Sequence, residues 1–124
     1  MTLLTMIFMH IVDDYYLQGV LAKMKQSKWW KENAPQALYK YDYIVALIMH
    51  AFSWTFMVML PIAFKLSFSL NFLFYLMFVF NLILHAVIDD LKANQGKINL
   101  IIDQVLHLLQ IIVIFSQFSI GLFN

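Results

Sequence analysis

The chain has 124 residues, of which 63% are hydrophobic, 17% aromatic and only 12% charged. A soluble domain is about 45–50% apolar and about 25% charged, and a chain this short has too much surface to cover with so few charges. An ordinary soluble domain, a disordered chain and a nucleic-acid-binding module are therefore excluded, and an integral membrane protein is indicated. Absent cysteine removes disulfide and thiolate chemistry. With no arginine and a net charge of +1, no broad phosphate-binding surface is available.

Four membrane segments are expected along the chain. The first runs over about 2–21 and is the least hydrophobic; acids at Asp13 and Asp14 and the lack of a basic start argue against a cleavable signal peptide. Between it and the second segment, residues 21–35 (LAKMKQSKWWKENAP) mix lysines with Trp29 and Trp30. That composition suits an interfacial anchor, a reading preferred to a lid over a cytoplasmic opening. The remaining segments cover about 43–64, 70–90 and 98–118, each close to the roughly 20 residues that cross a bilayer core as a helix. Pro61 reads as a kink or helix end. Two links are short, 65–69 and 91–97, the latter with Asn94 and Gly96 as turn signals. Short links favour antiparallel neighbours. The expected fold is all-α: one domain over 1–124, an antiparallel bundle of four transmembrane helices.

Lysines orient the bundle. Lys23, Lys25, Lys28, Lys31 and Lys40 lie between the first two segments, Lys92 and Lys97 between the last two, and only Lys65 on the opposite side. The lysine-rich face is then cytoplasmic and both termini lie outside the cytoplasm.

Each segment carries one histidine: His10, His50, His85 and His107. Three of them stand four residues from an aspartate, as His10–Asp14, His85–Asp89 and Asp103–His107, so each pair shares a helix face. Asp13, Gln18, Asn81, Asn99 and Gln110 extend these stripes. A charge near the centre of a membrane helix costs about 2.5–3.5 kcal/mol even on the gentler insertion scale, so these groups must face one another inside the bundle. Counting inward from the cytoplasmic ends at about 1.5 Å per residue, most of them fall at a similar level in the cytoplasmic half.

Histidine and aspartate are ligands for zinc, manganese, nickel or iron. The candidate set is His10, Asp14, His50, His85, Asp89, Asp103 and His107, enough for one ion with supporting carboxylates or for two bridged ions. A lone histidine on an apolar helix is usually a packed core residue. Three spaced pairs together with His50 favour a divalent ion, zinc or manganese, over a proton or cation relay and over purely structural hydrogen bonding. The eight methionines and twelve phenylalanines need no role beyond lipid-facing surface and packing.

The strings HIVDDYYLQ, HAVIDDLK and LIIDQVLHLL resemble an uncharacterised family of small bacterial and phage-borne inner-membrane proteins, catalogued as a domain of unknown function. His10, Asp14 and Gln18 match its first helix, and His50 a mid-chain histidine. His85, Asp89 and Lys92 match a later helix, and Asp103, Gln104 and His107 the last. Asp13 and Asp90 fall outside that pattern. The resemblance implies a bacterial inner-membrane location and no assigned activity; a looser likeness is to membrane-bound metal-dependent hydrolases.

Two functional classes follow, with a third behind them. The first is a metal-dependent hydrolase open to the cytoplasm, acting on a lipid head group or a small phosphorylated molecule. In it the four histidines bind the ion, Asp14 or Asp103 is the catalytic base, and Gln18 and Gln104 orient ligands or substrate, with Asn81 and Asn99 in support. Asp89 and Asp90, with Lys92, would handle the charged end. No nucleophile elbow or glycine-rich phosphate loop is present. The second is a proton- or cation-coupled transporter or channel subunit, disfavoured because 56–60, 72–80 and 111–115 are nearly all apolar. The third is a non-catalytic partner of a membrane complex or phage. Lipid bilayer and a second copy of the chain are the expected partners besides a substrate; nucleic acid is not.

Overall fold

The computed structural model describes residues 1–119, which form helices and turns with no strand among them. Helix α1 (Thr2–Val12) runs without a break into a π-helical turn over Asp13–Leu17. Two short helices follow, α2 (Leu21–Met24) and α3 (Ser27–Asn33), then a 3₁₀ turn at Ala37–Tyr39. The long helices are α4 (Asp42–Lys65), α5 (Phe72–Ala93) and α6 (Leu100–Ser119).

Local chemistry sets these boundaries. Gly19 at φ +45° ends the first helical run, and Gly96 at φ +62° turns the chain between α5 and α6; both angles suit a residue without Cβ. Asn71 caps α5 by accepting the Phe74 amide at 3.0 Å, and Asn99 caps α6 by accepting the Ile102 amide at 2.9 Å. Helix α4 continues past Pro61 to Lys65, so Pro61 is not the helix end.

The expectation of four spans needs correction. Three helices are long and apolar enough to cross a membrane, within Ala37–Lys65, Phe72–Ala93 and Leu100–Ser119. The first run offers 11 α-helical and 5 π-helical residues before the chain turns, about 24 Å at 1.5 Å each, short of the roughly 30 Å core. The shortfall has a cause: the acids at 13 and 14 face inward through the π turn and Gly19 stops the helix.

The helices close a ring. α1 packs on α4, α4 on α5, α5 on α6, and α6 back on α1; α2 lies against α4 at the lysine-rich end. The interior has two layers. Toward the Lys65 end it is apolar: Met6, Val58, Met59, Ile62, Phe74, Ile111 and Ile114, with Trp54 at the base. Toward the lysine-rich end it holds the buried polar residues His10, Asp13, Gln18, His50, His85, Asp89, Asp103 and His107. The outside is the reverse, with Phe8, Ile48, Phe52, Phe56, Val79, Phe80, Ile83 and Ile101 among many exposed apolar side chains. Polar residues inside and large apolar residues outside are the opposite of a soluble bundle.

Candidate metal centre

Four helices deliver the polar layer. The i, i+4 spacing of His85 with Asp89 on α5, and of Asp103 with His107 on α6, turns each pair inward on one face. The π turn carries two consecutive acids that meet different partners: Asp13, fully buried, accepts from Ser53, and Asp14, 10% exposed, accepts from Gln18. Extra residues of this kind recur at functional sites.

Asp89 is the hub. His50 Nε2 lies 2.8 Å from its Oδ2, His107 Nε2 3.3 Å from its Oδ1, and His85 Nε2 3.9 Å from Oδ2. The Nε2 atoms of His50 and His85 are 3.0 Å apart. His107 Nε2 is also 3.4 Å from Asp103 Oδ1, and Asp14 Oδ1 stands 3.9 Å from His50 Nε2. Two triads have ligand atoms within 4.8 Å of one another: Asp14, His50 and His85, and His85, Asp89 and His107.

The donor set fits a cation better than a set of protons. His50 Nε2 faces a carboxylate oxygen, a second imidazole nitrogen and, at 3.3 Å, the Gln18 amide nitrogen. One ring nitrogen carries one hydrogen or one lone pair, so it cannot satisfy all three. His107 Nε2 and Asp103 Oδ1 are buried without a hydrogen bond, an arrangement that costs about 1–3 kcal/mol per group when nothing compensates. An ion about 2.0–2.1 Å from each ligand would sit among atoms spaced as these are.

Two lysines already neutralise the carboxylates. Lys25 Nζ donates to Asp89 Oδ2 at 2.5 Å and to Gln18 Oε1 at 3.3 Å, and Lys92 Nζ donates to Asp103 Oδ2 at 2.6 Å. Lys25 comes from the segment after α2, which is tied down where Asn94 accepts the Ser27 amide at 2.7 Å and donates to the Lys25 carbonyl at 3.1 Å. A cleft of about 420 Å³ opens beside the cluster, lined by Asp14, Gln18, Lys25, Asp89, Lys92 and Gln104 among others.

His10 plays a different part from the other histidines. Trp54 Nε1–H donates to its Nδ1 at 2.8 Å. Indole is only a donor, so Nδ1 holds a lone pair and the proton sits on Nε2, an assignment made from the network. Nε2–H then donates to Gln104 Oε1 at 3.1 Å, and the Gln104 amide donates to Asp103 Oδ2 at 3.0 Å. This chain of fixed polarity runs from Trp54 to Asp103 and occupies both His10 nitrogens. Trp54 also stacks on His85, with ring centroids 4.1 Å apart and planes at 15°.

The expected ligands thus divide. Asp14, His50 and His85 form one triad and His85, Asp89 and His107 another, Asp103 adjoins His107, and His10 borders the cluster and makes its hydrogen bonds elsewhere. Gln18 and Gln104 touch the cluster directly. Asn81 and Asn99 do not: Gln110 donates to Asn81 at 2.9 Å one turn further from the lysine-rich end, and Asn99 is a helix cap. Asp13 accepts from Ser53 at 2.6 Å, and Asp90 pairs with Asn94 and Gln95. Trp29 and Trp30 pack on each other, and Trp30 also on Tyr39; the residue their segment sends into the site is Lys25. Sequence reasoning missed Lys25 and Trp54. Trp54 was detectable, standing four residues after His50; Lys25 carried no local signal.

A family model described as a protein of unknown function, DUF3307, matches residues 2–123. No curated protein and no solved structure matches the chain.

Proposed function

The chain belongs to the DUF3307 family, and from that premise we propose that it is a membrane-embedded, metal-dependent hydrolase whose site opens to the cytoplasm. The observation that carries the reading is the meeting of three imidazole Nε2 atoms around the Asp89 carboxylate at the foot of a cleft. His85 is common to both triads, and its Nε2 faces both. One nitrogen has one lone pair, so the triads are alternative seats for a single divalent ion, zinc or manganese, not two simultaneous sites.

In this reading the chain inserts into a bacterial inner membrane through α4, α5 and α6, with α1 and its π turn as a short fourth side of the bundle and the C-terminal end of α6 outside the cytoplasm. The inside-out distribution of polar and apolar residues and the seven-to-one lysine asymmetry support it.

The ion would activate water and polarise the bond under attack. His85, His107 and Asp89 would hold it, with His50 alongside on the Asp89 carboxylate and Asp103 steered by Lys92 and Gln104. Asp14 lines the cleft and is the better placed of the two candidate bases, its Oδ1 fixed by the Gln18 amide at 2.7 Å. Gln18 and Gln104 orient ligand and substrate. The substrate is a lipid head group or a small phosphorylated molecule reaching the cleft from the lysine-rich side. A transport path is less well supported, because the apolar layer of Val58, Met59, Ile62, Ile111 and Ile114 closes the bundle beyond the cluster.

Elemental analysis of protein purified without chelators is the test. One bound divalent ion per chain is expected, lost in His85→Ala and His107→Ala and kept in Lys65→Ala. Metal-free wild-type protein that still fails to take up zinc or manganese on addition would overturn the reading.

A further inference from the structure

Lys25 is held at both ends from neighbouring residues of α5. Its ammonium rests on Asp89, the carboxylate that the imidazoles surround. Its main chain is held from the next residue, Asp90, by way of Asn94. One Asn94 amide hydrogen goes to Asp90 Oδ1 at 2.8 Å and the other to the Lys25 carbonyl at 3.1 Å, while Asn94 Oδ1 accepts the Ser27 amide at 2.7 Å. Both amide hydrogens and the oxygen are thereby used. Only the nitrogen can face the two acceptors and only the oxygen the Ser27 amide, so the orientation of the Asn94 side chain is fixed.

These bonds fall where the chain has little other hold. Lys25 follows α2 and Ser27 opens α3, so the Lys25 carbonyl and the Ser27 amide are helix-end groups without an intrahelical partner. Neither short helix contains a buried residue, so packing fixes their junction weakly. Trp30 Nε1–H donates to the Met24 carbonyl at 2.7 Å, but that bond lies within the segment and moves with it. Among the described residues, the hydrogen bonds that tie 21–33 to the long helices are those of Lys25 and of Asn94, the residue that caps α5. The same junction is part of the cleft wall, to which it contributes Ala22, Lys25 and Gln26.

We propose that Asn94 is a positioning residue: oriented by Asp90, it clasps the α2–α3 junction to the end of α5, and so keeps Lys25 on Asp89 and the junction in place as one wall of the cleft. Asp90, the second acid of its doublet, acts in this by accepting a hydrogen bond and not by its charge. The inference goes beyond the hydrolase reading and does not depend on a bound ion.

Acetylation by a water-soluble N-hydroxysuccinimide ester, followed lysine by lysine by mass spectrometry on the full chain in detergent, tests it. Lys25, ion-paired and 13% exposed, should react slowly beside Lys28, which is 82% exposed. Asn94→Ala removes two hydrogen bonds from the junction and should raise labelling of Lys25 relative to Lys28 about tenfold. Lys92, which pairs with Asp103 and not with the junction, should be unchanged. Asn94→Asp, close in size, keeps the acceptor for Ser27 but sets an oxygen against the Lys25 carbonyl and Asp90, so it should release Lys25 as well. Asp90→Ala should release Lys25, whereas Asp90→Asn, which still offers an oxygen to Asn94, should leave it protected. Equal labelling of Lys25 in wild type and Asn94→Ala overturns the proposal. So does a parallel rise at Lys25 and Lys92, the mark of a generally loosened bundle, and so does release by Asp90→Asn as large as that by Asp90→Ala.

Discussion

Replacing Trp54 with Phe removes one hydrogen atom's worth of information from the centre of the protein. The aromatic face against His85 is largely kept, but the donor to His10 Nδ1, at 2.8 Å, is lost. His10 is 1% exposed, so water does not replace it. The Nδ1 lone pair then faces the Asp14 carboxylate at 3.4 Å with nothing between. Moving the proton from Nε2 to Nδ1 relieves that repulsion, but Gln104 must then turn its amide toward His10 and present its oxygen to Asp103. One orphaned buried acceptor costs about 1–3 kcal/mol, and each 1.4 kcal/mol passed on to Asp103 weakens metal binding about tenfold. Nitrogen-15 NMR of the imidazole rings reads the tautomer directly. In wild type His10 should carry its proton on Nε2, and in Trp54→Phe it should shift toward Nδ1, with metal affinity about tenfold weaker. An unchanged His10 tautomer in the variant, together with unchanged metal affinity, would refute the claim that polarity is transmitted from Trp54 to Asp103.

Two other outcomes are expected. Gln110→Leu breaks the bonds to Asn81 that join α5 to α6 and should cost about 0.6–1.7 kcal/mol, the range for hydrogen bonds between membrane helices, measured as resistance to unfolding in mixed micelles; metal content should not change, since the pair lies a turn away from the cluster. A reporter fused after Asn124 should be active outside the cytoplasm, and cytoplasmic activity would reverse the orientation of the cleft.

Much of the site is legible in the sequence because helices convert spacing into direction. Four-residue intervals placed His85 with Asp89 and Asp103 with His107 on inward faces, and short links set the antiparallel register that brings the pairs to one level. The same rule failed where the backbone left the α-helix. Asp13, which lies on the inward stripe but outside the family pattern, is fully buried at the start of the π turn over Asp13–Leu17, and a full-length first span was expected where the helix stops short. Spacing also cannot tell a member of the cluster from a residue beside it. His10 has the same interval to Asp14 as His85 has to Asp89, yet the indole of Trp54, on another helix, decides what its nitrogens do. Asn99 shared the stripe of Asp103 but serves the helix start, a demand set by the unpaired amides of a first turn.

The least legible feature is the one with the largest electrostatic consequence. Lys25 lies among basic and aromatic residues whose composition suits the membrane interface, and no periodicity links it to a carboxylate 64 positions away. Its placement follows from the cost of burying charge. Asp89 is buried among three imidazoles, and a buried carboxylate without a cation is strongly destabilising. Lys25 supplies that cation by donating to Asp89 Oδ2. A flexible ammonium serves, because it can donate from a distance and withdraw without disturbing the helices. Lys92 does the same for Asp103, so each of the two buried carboxylates is paired with an ammonium that reaches in from the lysine-rich end while the helices keep their packing.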